Sequence, residues 1–190
     1  GEPVRVVRED PERRGLLYAG TETGAWFSVD NGASWNAFKG IPAVPVTDLE
    51  VRHGDLIAAT EGRAFWILDD LSMLRQQNAE VTRAPVHLFA PRAAILTSGG
   101  GGFGGGGGAS RVGRNPPAGA TVHFRLAAAP DSNAKATLEF LDARGAVVRT
   151  YSSRPAAGPG ASGGPGGGPR LTPKAGLNSF SWDLRRDGPT

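Results

Sequence analysis

Residues 17–31 of the chain, LYAGTETGAWFSVDN, return 39 positions later as residues 56–70, LIAATEGRAFWILDD. The two stretches align without a gap, and two aromatic pairs also coincide in this alignment: Trp26 with Phe65 and Phe27 with Trp66. Six positions are identical: Leu17/Leu56, Ala19/Ala58, Thr21/Thr60, Glu22/Glu61, Ala25/Ala64 and Asp30/Asp69. The sequence therefore contains two copies of one small structural unit.

Short segments typical of β-strands fill the chain, each rich in β-branched or aromatic residues and bounded by Gly, Pro, Asp or Asn. The predicted strands are 4–8, 16–20, 25–29, 34–38, 47–52, 55–60, 64–68, 120–126, 136–142, 146–151 and 177–184. Only residues 70–77, with Leu71 and Leu74 three apart, predict a short helix. The fold class predicted is all-β.

A period of about 40 residues with several short strands per unit is typical of a β-propeller, in which small sheets pack face to face around a channel. We predict that residues 4–38 form a four-stranded antiparallel blade and residues 45–70 form three strands of the next. The fourth strand of that second blade is either missing or supplied from elsewhere. Two blades form an incomplete ring, so further upstream blades are implied.

Two low-complexity stretches divide the sequence. Residues 99–108 are Gly except for Phe103, and residues 156–169 contain only Gly, Pro, Ala and Ser. Neither stretch has enough apolar surface to offset the entropy of ordering it. We therefore assign residues 1–90 to propeller blades, 91–114 to a Gly-rich linker, and 115–190 to a second β module in which 156–169 is an insert.

Composition excludes several kinds of site. The chain has no Cys, so a disulfide framework, a thiolate metal site and a cysteine nucleophile are excluded. No run of about 18 apolar residues occurs, and no membrane span is predicted. The three histidines, His53, His87 and His123, are too far apart in sequence for a metal-ligand motif, so neither a metal nor another cofactor is predicted.

Charge is distributed unevenly along the chain. Residues 1–90 hold 9 Lys and Arg against 13 Asp and Glu, whereas residues 91–190 hold 12 against 5. A basic half can indicate nucleic-acid binding, but that signal requires a clustered patch. The arginines of this half occur singly and almost without aromatic residues between them. We interpret them as solvated strand residues and predict no nucleic-acid partner.

The segment Ser28-Val29-Asp30-Asn31-Gly32-Ala33-Ser34-Trp35 predicts a tight turn between two strands, with Asp30 accepting backbone hydrogen bonds and Gly32 at positive φ. It resembles the Asp-box, S-x-D-x-G-x-x-W, with Ser28, Asp30, Gly32 and Trp35 at the defining positions. This hairpin is characteristic of BNR-repeat propellers such as sialidases, sortilin-like proteins and two-propeller xyloglucanases. The resemblance implies that the box staples the outer edge of a blade, so we assign these residues a structural role.

The second repeat is similar to the last blade of large bacterial sortilin-like BNR proteins, which are often labelled glycosyl hydrolases. Their usual string is close to A-T-H-G-R-G-F-W-I-L-D-D; here Glu61 replaces the His and Ala64 replaces the second Gly. The resemblance implies that Glu61, Arg63, Asp69 and Asp70 face the central channel. Arg63 is expected to pair with Asp69 or Asp70.

Downstream, Leu88-Phe89-Ala90-Pro91-Arg92 and residues 115–120 continue this resemblance, which implies an immunoglobulin-like β-sandwich after the propeller. The segment 176–184 is also similar to the immunoglobulin-like domain of flagellar-hook-capping proteins. Trp182 is expected in the core of this module. The module is expected to be partial, and the chain to be a piece of a longer protein, because too few strands are present to complete it.

Two functions remain open from the sequence. The first is a ligand-binding or scaffold module of a secreted propeller, extracellular or periplasmic by resemblance, whose ligand is a peptide, a protein or a glycan. The second is part of a glycoside hydrolase whose catalytic residues lie in upstream blades; no catalytic residue is assigned within this chain. A glycosidase needs two carboxyl groups held on either side of a sugar ring.

Overall fold

The computed structural model describes residues 2–94, 119–131, 133–154 and 170–185. Its contacts divide the chain into two compact units, Gly1–Thr82 and Arg83–Thr190. The division falls after Thr82 rather than after residue 90, the predicted end of the first region. The predicted low-complexity segments 99–108 and 156–169 lie outside the described residues.

The first unit begins with a four-stranded antiparallel sheet. Its strands are β1 (Val4–Glu9), β2 (Leu17–Thr21), β3 (Gly24–Ser28) and β4 (Asn36–Ala37), hydrogen-bonded in that order. All four lie within the predicted range 4–38. β4 has only two residues, Asn36 and Ala37, which pair with Phe27 and Trp26. The four antiparallel strands predicted for this range are confirmed.

A three-stranded antiparallel sheet follows, formed by β5 (Val46–Arg52), β6 (Asp55–Thr60) and β7 (Ala64–Leu68). β7 is an edge strand, with no fourth strand bonded to it among the described residues. Two short helices follow, α1 (Ser72–Arg75) and α2 (Ala79–Arg83). α1 lies within the predicted helix 70–77, whereas α2 was not predicted. No helix in the described parts of the chain has the length and apolarity needed to cross a bilayer.

The two sheets of the first unit pack face to face around a common core. Tyr18 and Ala25 of the first sheet meet Leu49, Leu56 and Ala58 of the second in one cluster of buried residues. Gly20 allows the close approach of the two sheets: a Cβ there would lie 2.8 Å from Val46 Cγ1 and 2.9 Å from the Val46 carbonyl oxygen. Along β6, the buried residues Leu56 and Ala58 alternate with the partly buried residues Asp55, Ile57 and Ala59, as in a half-buried sheet.

Strand register corrects one feature of the repeat alignment. Ala19 pairs with Trp26 in the first sheet, whereas its repeat partner Ala58 pairs with Trp66 in the second. The turn between β6 and β7 is one residue longer than that between β2 and β3, and Ala64 enters β7 at a left-handed φ of 56°. Trp26 therefore corresponds to Trp66, and the gap-free match of Trp26 with Phe65 is wrong.

The second unit contains two small sheets. β8 (Val86–Leu88), β9 (Ala120–Leu126) and β12 (Gly176–Trp182) form one sheet in the order β12-β9-β8, and β10 (Thr137–Leu141) pairs with β11 (Val147–Ser152) in the other. All pairings are antiparallel. β8 was not predicted; it lies in the range assigned to the propeller, yet it pairs with β9. The chain is all-β in both units, as predicted.

The strands predicted at 136–142 and 146–151 form a hairpin, and Asp142 holds the turn between β10 and β11. Its Oδ1 accepts hydrogen bonds from the amides of Arg144 at 2.8 Å and Ala146 at 2.9 Å. The core of this unit consists of Val122, Leu138, Tyr151, Leu171 and Phe180. Trp182 is partly buried and packs against that cluster, with its ring centre 4.5 Å from that of Phe140, so it lies at the edge of the core rather than within it.

Candidate functional site

The Asp-box residues form a closed hydrogen-bond network in the turn between β3 and β4. Ser28 is buried; its hydroxyl donates to Asp30 Oδ1 at 2.7 Å and accepts from the Gly32 amide at 2.8 Å. Ser34 donates its amide to Asp30 Oδ1 at 2.8 Å and its hydroxyl to Oδ2 at 2.6 Å. Asn31 and Gly32 both adopt positive φ, 57° and 88°. Gly adopts positive φ without steric cost, which explains why residue 32 is Gly.

Asp30 is an acceptor for this turn rather than a reactive acid. The hydroxyl and the amide of Ser34, followed by the hydroxyl of Ser28, lower the pKa of the Asp30 carboxyl to about 2. A carboxylate held in its charged form by three local donors is poorly suited to donate a proton at neutral pH. Trp35 lies beside Gly32 with 38% of its surface exposed. The geometry of the network supports a structural role for Ser28, Asp30 and Gly32.

We expect Asp30→Asn to destabilise the first unit at neutral pH and to have less effect in acid. Because the pKa of Asp30 is lowered in the folded state, its charged form stabilises that state above the unfolded value near 4. This stabilisation is lost as the pH falls through about 2. The measurement is thermal unfolding of both proteins by tryptophan fluorescence between pH 7 and pH 2.5. An equal difference in Tm at every pH would contradict the assignment.

The predicted channel residues Glu61 and Arg63 lie in the turn between β6 and β7, next to the equivalent turn between β2 and β3. The repeat partners Glu22 and Glu61 both approach one cation: Arg5 Nε lies 2.7 Å from Glu22 Oε1, and Arg5 Nη1 lies 3.5 Å from Glu61 Oε2. All three side chains are more than a third exposed, so these pairs contribute little to stability. Glu2 extends the cluster by accepting a hydrogen bond from Thr21 Oγ1.

Asp69 and Asp70 lie at the opposite end of β7 from Glu61 and Arg63. A strand of five residues spans about 17 Å at the usual rise per residue, so Arg63 and Asp69 are not neighbours. The amide of Asp70 donates to Asp55 Oδ1 at 2.9 Å, next to the turn between β5 and β6. The structure therefore brings Glu61 together with Arg5 and Glu22 but separates it from the two aspartates.

A buried polar cluster joins the first sheet to α1, and the sequence analysis did not identify it. Asp10 has a fully buried side chain; it accepts from Tyr18 Oη at 2.8 Å and from Arg75 Nε at 3.0 Å. The amides of Glu12 and Arg13 also donate to Asp10 Oδ1, at 2.9 and 3.0 Å. Arg75 reaches Glu12 Oε2 at 2.7 Å. Asp10 and Arg75 are 65 positions apart, so no local motif signals this pair.

This cluster connects α1 to the first sheet and is not a ligand site. Burial, and then the hydrogen bond to Asp10, raise the pKa of Tyr18. Arg13 adds hydrogen bonds from its guanidinium to the carbonyl oxygens of Leu74 and Gln77 at the end of α1. The charged groups of this cluster hold the helical segment against the first sheet.

The two outer faces of the sheet pair carry exposed apolar side chains. On the first sheet, Val7, Ala19 and Trp26 stand in one row across three strands and line, with Trp35, an open groove of about 400 Å³. On the second sheet, Phe65 and Ile67 are exposed, at 74% and 61%. Such clusters of large exposed apolar residues mark interaction surfaces. We call them the first and the second outer face.

No protein-family model, no curated protein and no solved structure matches the chain. Within the described residues, no group of three or more His, Asp and Glu side chains is arranged to hold a metal ion. The candidate site of the first unit therefore rests on its geometry: the Asp-box turn, the turns that converge on Arg5, and the two outer faces.

Proposed function

We propose that the first unit is a pair of consecutive β-propeller blades that serves as a scaffold and ligand-binding module, with further blade-like sheets packed on both outer faces. One observation carries the proposal: residues that point away from the shared core in the first sheet have repeat partners that point into that core from the second sheet. Leu17 and Ala19 belong to the first outer face, whereas their repeat partners Leu56 and Ala58 face the core and pack on the first sheet.

The first outer face is therefore equivalent to the face of the second sheet that packs on the first sheet. By this equivalence, we expect the first outer face to pack on a sheet that precedes it. The same argument applies in the other direction, since the second outer face is equivalent to the face of the first sheet that contains Tyr18. A contact between two different faces of one repeating unit is heterologous, and repetition of it produces a ring when the rotation closes. The Asp-box network also supports the proposal, because it lies at the end of the first sheet remote from Arg5.

The converging turns suggest where a ligand binds. In both sheets the turn that contains Glu22 or Glu61 lies at the same end, and Arg5 joins the two turns. Equivalent turns of additional blades would complete a ring of polar loops there, suited to a peptide, a protein or a glycan. The resemblance to sortilin-like BNR proteins supports this proposal, as well as an extracellular or periplasmic location and an immunoglobulin-like module in the second unit.

The glycoside hydrolase alternative gains no specific support from the described residues. The acids predicted to face the channel are Glu61 at one end of β7 and Asp69 and Asp70 at the other. Glu61 is paired with Arg5, whereas catalytic carboxylates face each other about 5–9.5 Å apart across a sugar ring. The scaffold function is therefore the one that the geometry favours.

The experiment uses two variants of the full chain, Val7→Lys on the first outer face and Phe65→Lys on the second. If the faces pack on each other head to tail, the unmodified chain self-associates and each variant alone is monomeric. A mixture of the two variants forms a 1:1 dimer, because each supplies the intact face that the other lacks. Light scattering with size-exclusion chromatography measures the masses.

A substitution at an exposed apolar residue of the second unit, Leu177→Lys, is the matched control and leaves self-association unchanged. Two results would count against the proposal. A single variant that still dimerises indicates a face that packs on itself. A chain that stays monomeric at every concentration indicates faces with no affinity for blade-like sheets.

A further inference from the structure

The second unit contains an apolar cavity of about 530 Å³ between its three-stranded sheet and the segment that leads into β10. Its walls are mainly aliphatic and aromatic, including Val86, Leu88, Phe124, Leu126, Leu138 and Leu171. Leu138 and Leu171 are buried, whereas Val86 and Leu88 are more than half exposed. A cavity of this size with such a lining is typical of a small-molecule site.

A cationic rim adjoins this apolar cavity. A smaller cavity of about 270 Å³ shares three wall residues with it, Pro130, Ala134 and Pro173, so the two lie side by side. The charged residues that line the two cavities are Lys135, Arg154, Arg170 and Asp131. Three cations against one carboxylate give this rim an excess of positive charge.

The arginines of the rim are positioned by the end of β11. Arg170 Nε donates to the carbonyl oxygen of Ser153 at 2.9 Å, and Arg154 follows Ser153 directly in the chain. Leu171, next to Arg170, belongs to the buried core of the unit. The Arg170 guanidinium is thus held in place beside the apolar cavity, an arrangement complementary to a molecule with an apolar chain and a negative end.

We propose that the two cavities together bind an unbranched fatty carboxylate, with its alkyl chain in the apolar cavity and its carboxylate at the cationic rim. Removal of the alkyl chain from water, and of the exposed wall residues Val86 and Leu88, drives binding. The positive charge of Lys135, Arg154 and Arg170 selects a carboxylate over a neutral or cationic head. The proposal concerns the second unit and does not depend on the function proposed for the first.

Titration calorimetry of the full chain with decanoate, decanol and decyltrimethylammonium tests the proposal. We expect saturable binding of one decanoate, with decanol and the ammonium compound bound about tenfold more weakly or not at all, because they lack charge-assisted contacts. Lys135→Glu weakens decanoate binding at least about fivefold by reversing one charge of the rim. The matched control is Lys174→Glu, an exposed lysine that lines neither cavity.

A second variant tests the cavity itself. Ala134 is exposed and lines both cavities, so Ala134→Trp fills their junction and abolishes decanoate binding, whereas Ala143→Trp in the exposed hairpin turn has no effect. Circular dichroism shows whether each variant is folded. If Ala134→Trp is unfolded, Lys135→Glu, at an exposed position, still tests the proposal. The proposal is overturned if decanoate shows no saturable binding, if decanol binds equally well, or if neither variant weakens binding.

Discussion

Replacing Arg75 with Ala lowers the free energy of unfolding of the first unit by about 3–5 kcal/mol, the range for breaking a buried ion pair from one side. The substitution leaves the fully buried carboxylate of Asp10 without its cation, 3.0 Å away in the intact protein. It also removes one of the links between α1 and the connection that joins β1 to β2, and leaves the hydrogen bonds from Arg13 to Leu74 and Gln77. Urea unfolding followed by tryptophan fluorescence measures the loss, since three of the four tryptophans, Trp26, Trp35 and Trp66, belong to this unit.

The control for Arg75→Ala is Arg52→Ala. Arg52 is 66% exposed and lies 3.7 Å from Glu50, a surface pair expected to contribute well under about 1 kcal/mol. A double substitution, Asp10→Leu with Arg75→Met, recovers only part of the stability. It leaves no buried charge uncompensated, but the Tyr18 hydroxyl and the amides of Glu12 and Arg13 lose their acceptor. Equal losses for Arg75→Ala and Arg52→Ala would show that the buried cluster does not hold the two segments together.

Much of the fold was predictable because it depends on local patterns. Along β10, Leu138 and Phe140 lie on the more buried face and Glu139 on the exposed one, an alternation that the sequence itself displays. The Asp-box turn was also predictable, since every donor and acceptor lies within residues 28–34. In such segments the information needed for the structure is contained in a few neighbouring residues.

Features that depend on distant pairings were not predictable from the sequence. β8 has three residues, too few for a periodic signal, and it exists because it bonds to β9 more than thirty positions later. The Asp10–Arg75 pair joins two segments with no shared motif. The gap-free repeat alignment matches Phe65 with Trp26, but in the structure Trp66 takes that place. The turn between β6 and β7 has one extra residue, which moves every later side chain of β7 to the other face of the sheet.

Leu56→Ala is expected to lower the free energy of unfolding of the first unit by about 2–5 kcal/mol, the range for removing a large aliphatic side chain from a packed core. Leu56 is fully buried where the two sheets meet, together with Leu49 and Tyr18. Its truncation leaves a cavity between the sheets that their rigid pairing prevents from closing. The measurement is urea unfolding at a concentration low enough to keep the chain monomeric.

Phe65→Ala is the matched control, because Phe65 is a larger side chain in the same sheet but 74% exposed. In the monomer its loss changes stability by no more than about 0.5 kcal/mol, as for other surface substitutions. At concentrations where the chain self-associates, Phe65→Ala becomes destabilising through the lost contact between outer faces, whereas the effect of Leu56→Ala does not change. If Phe65→Ala costs as much as Leu56→Ala in the monomer, the second outer face is covered within a single chain and the head-to-tail packing proposed for it is wrong.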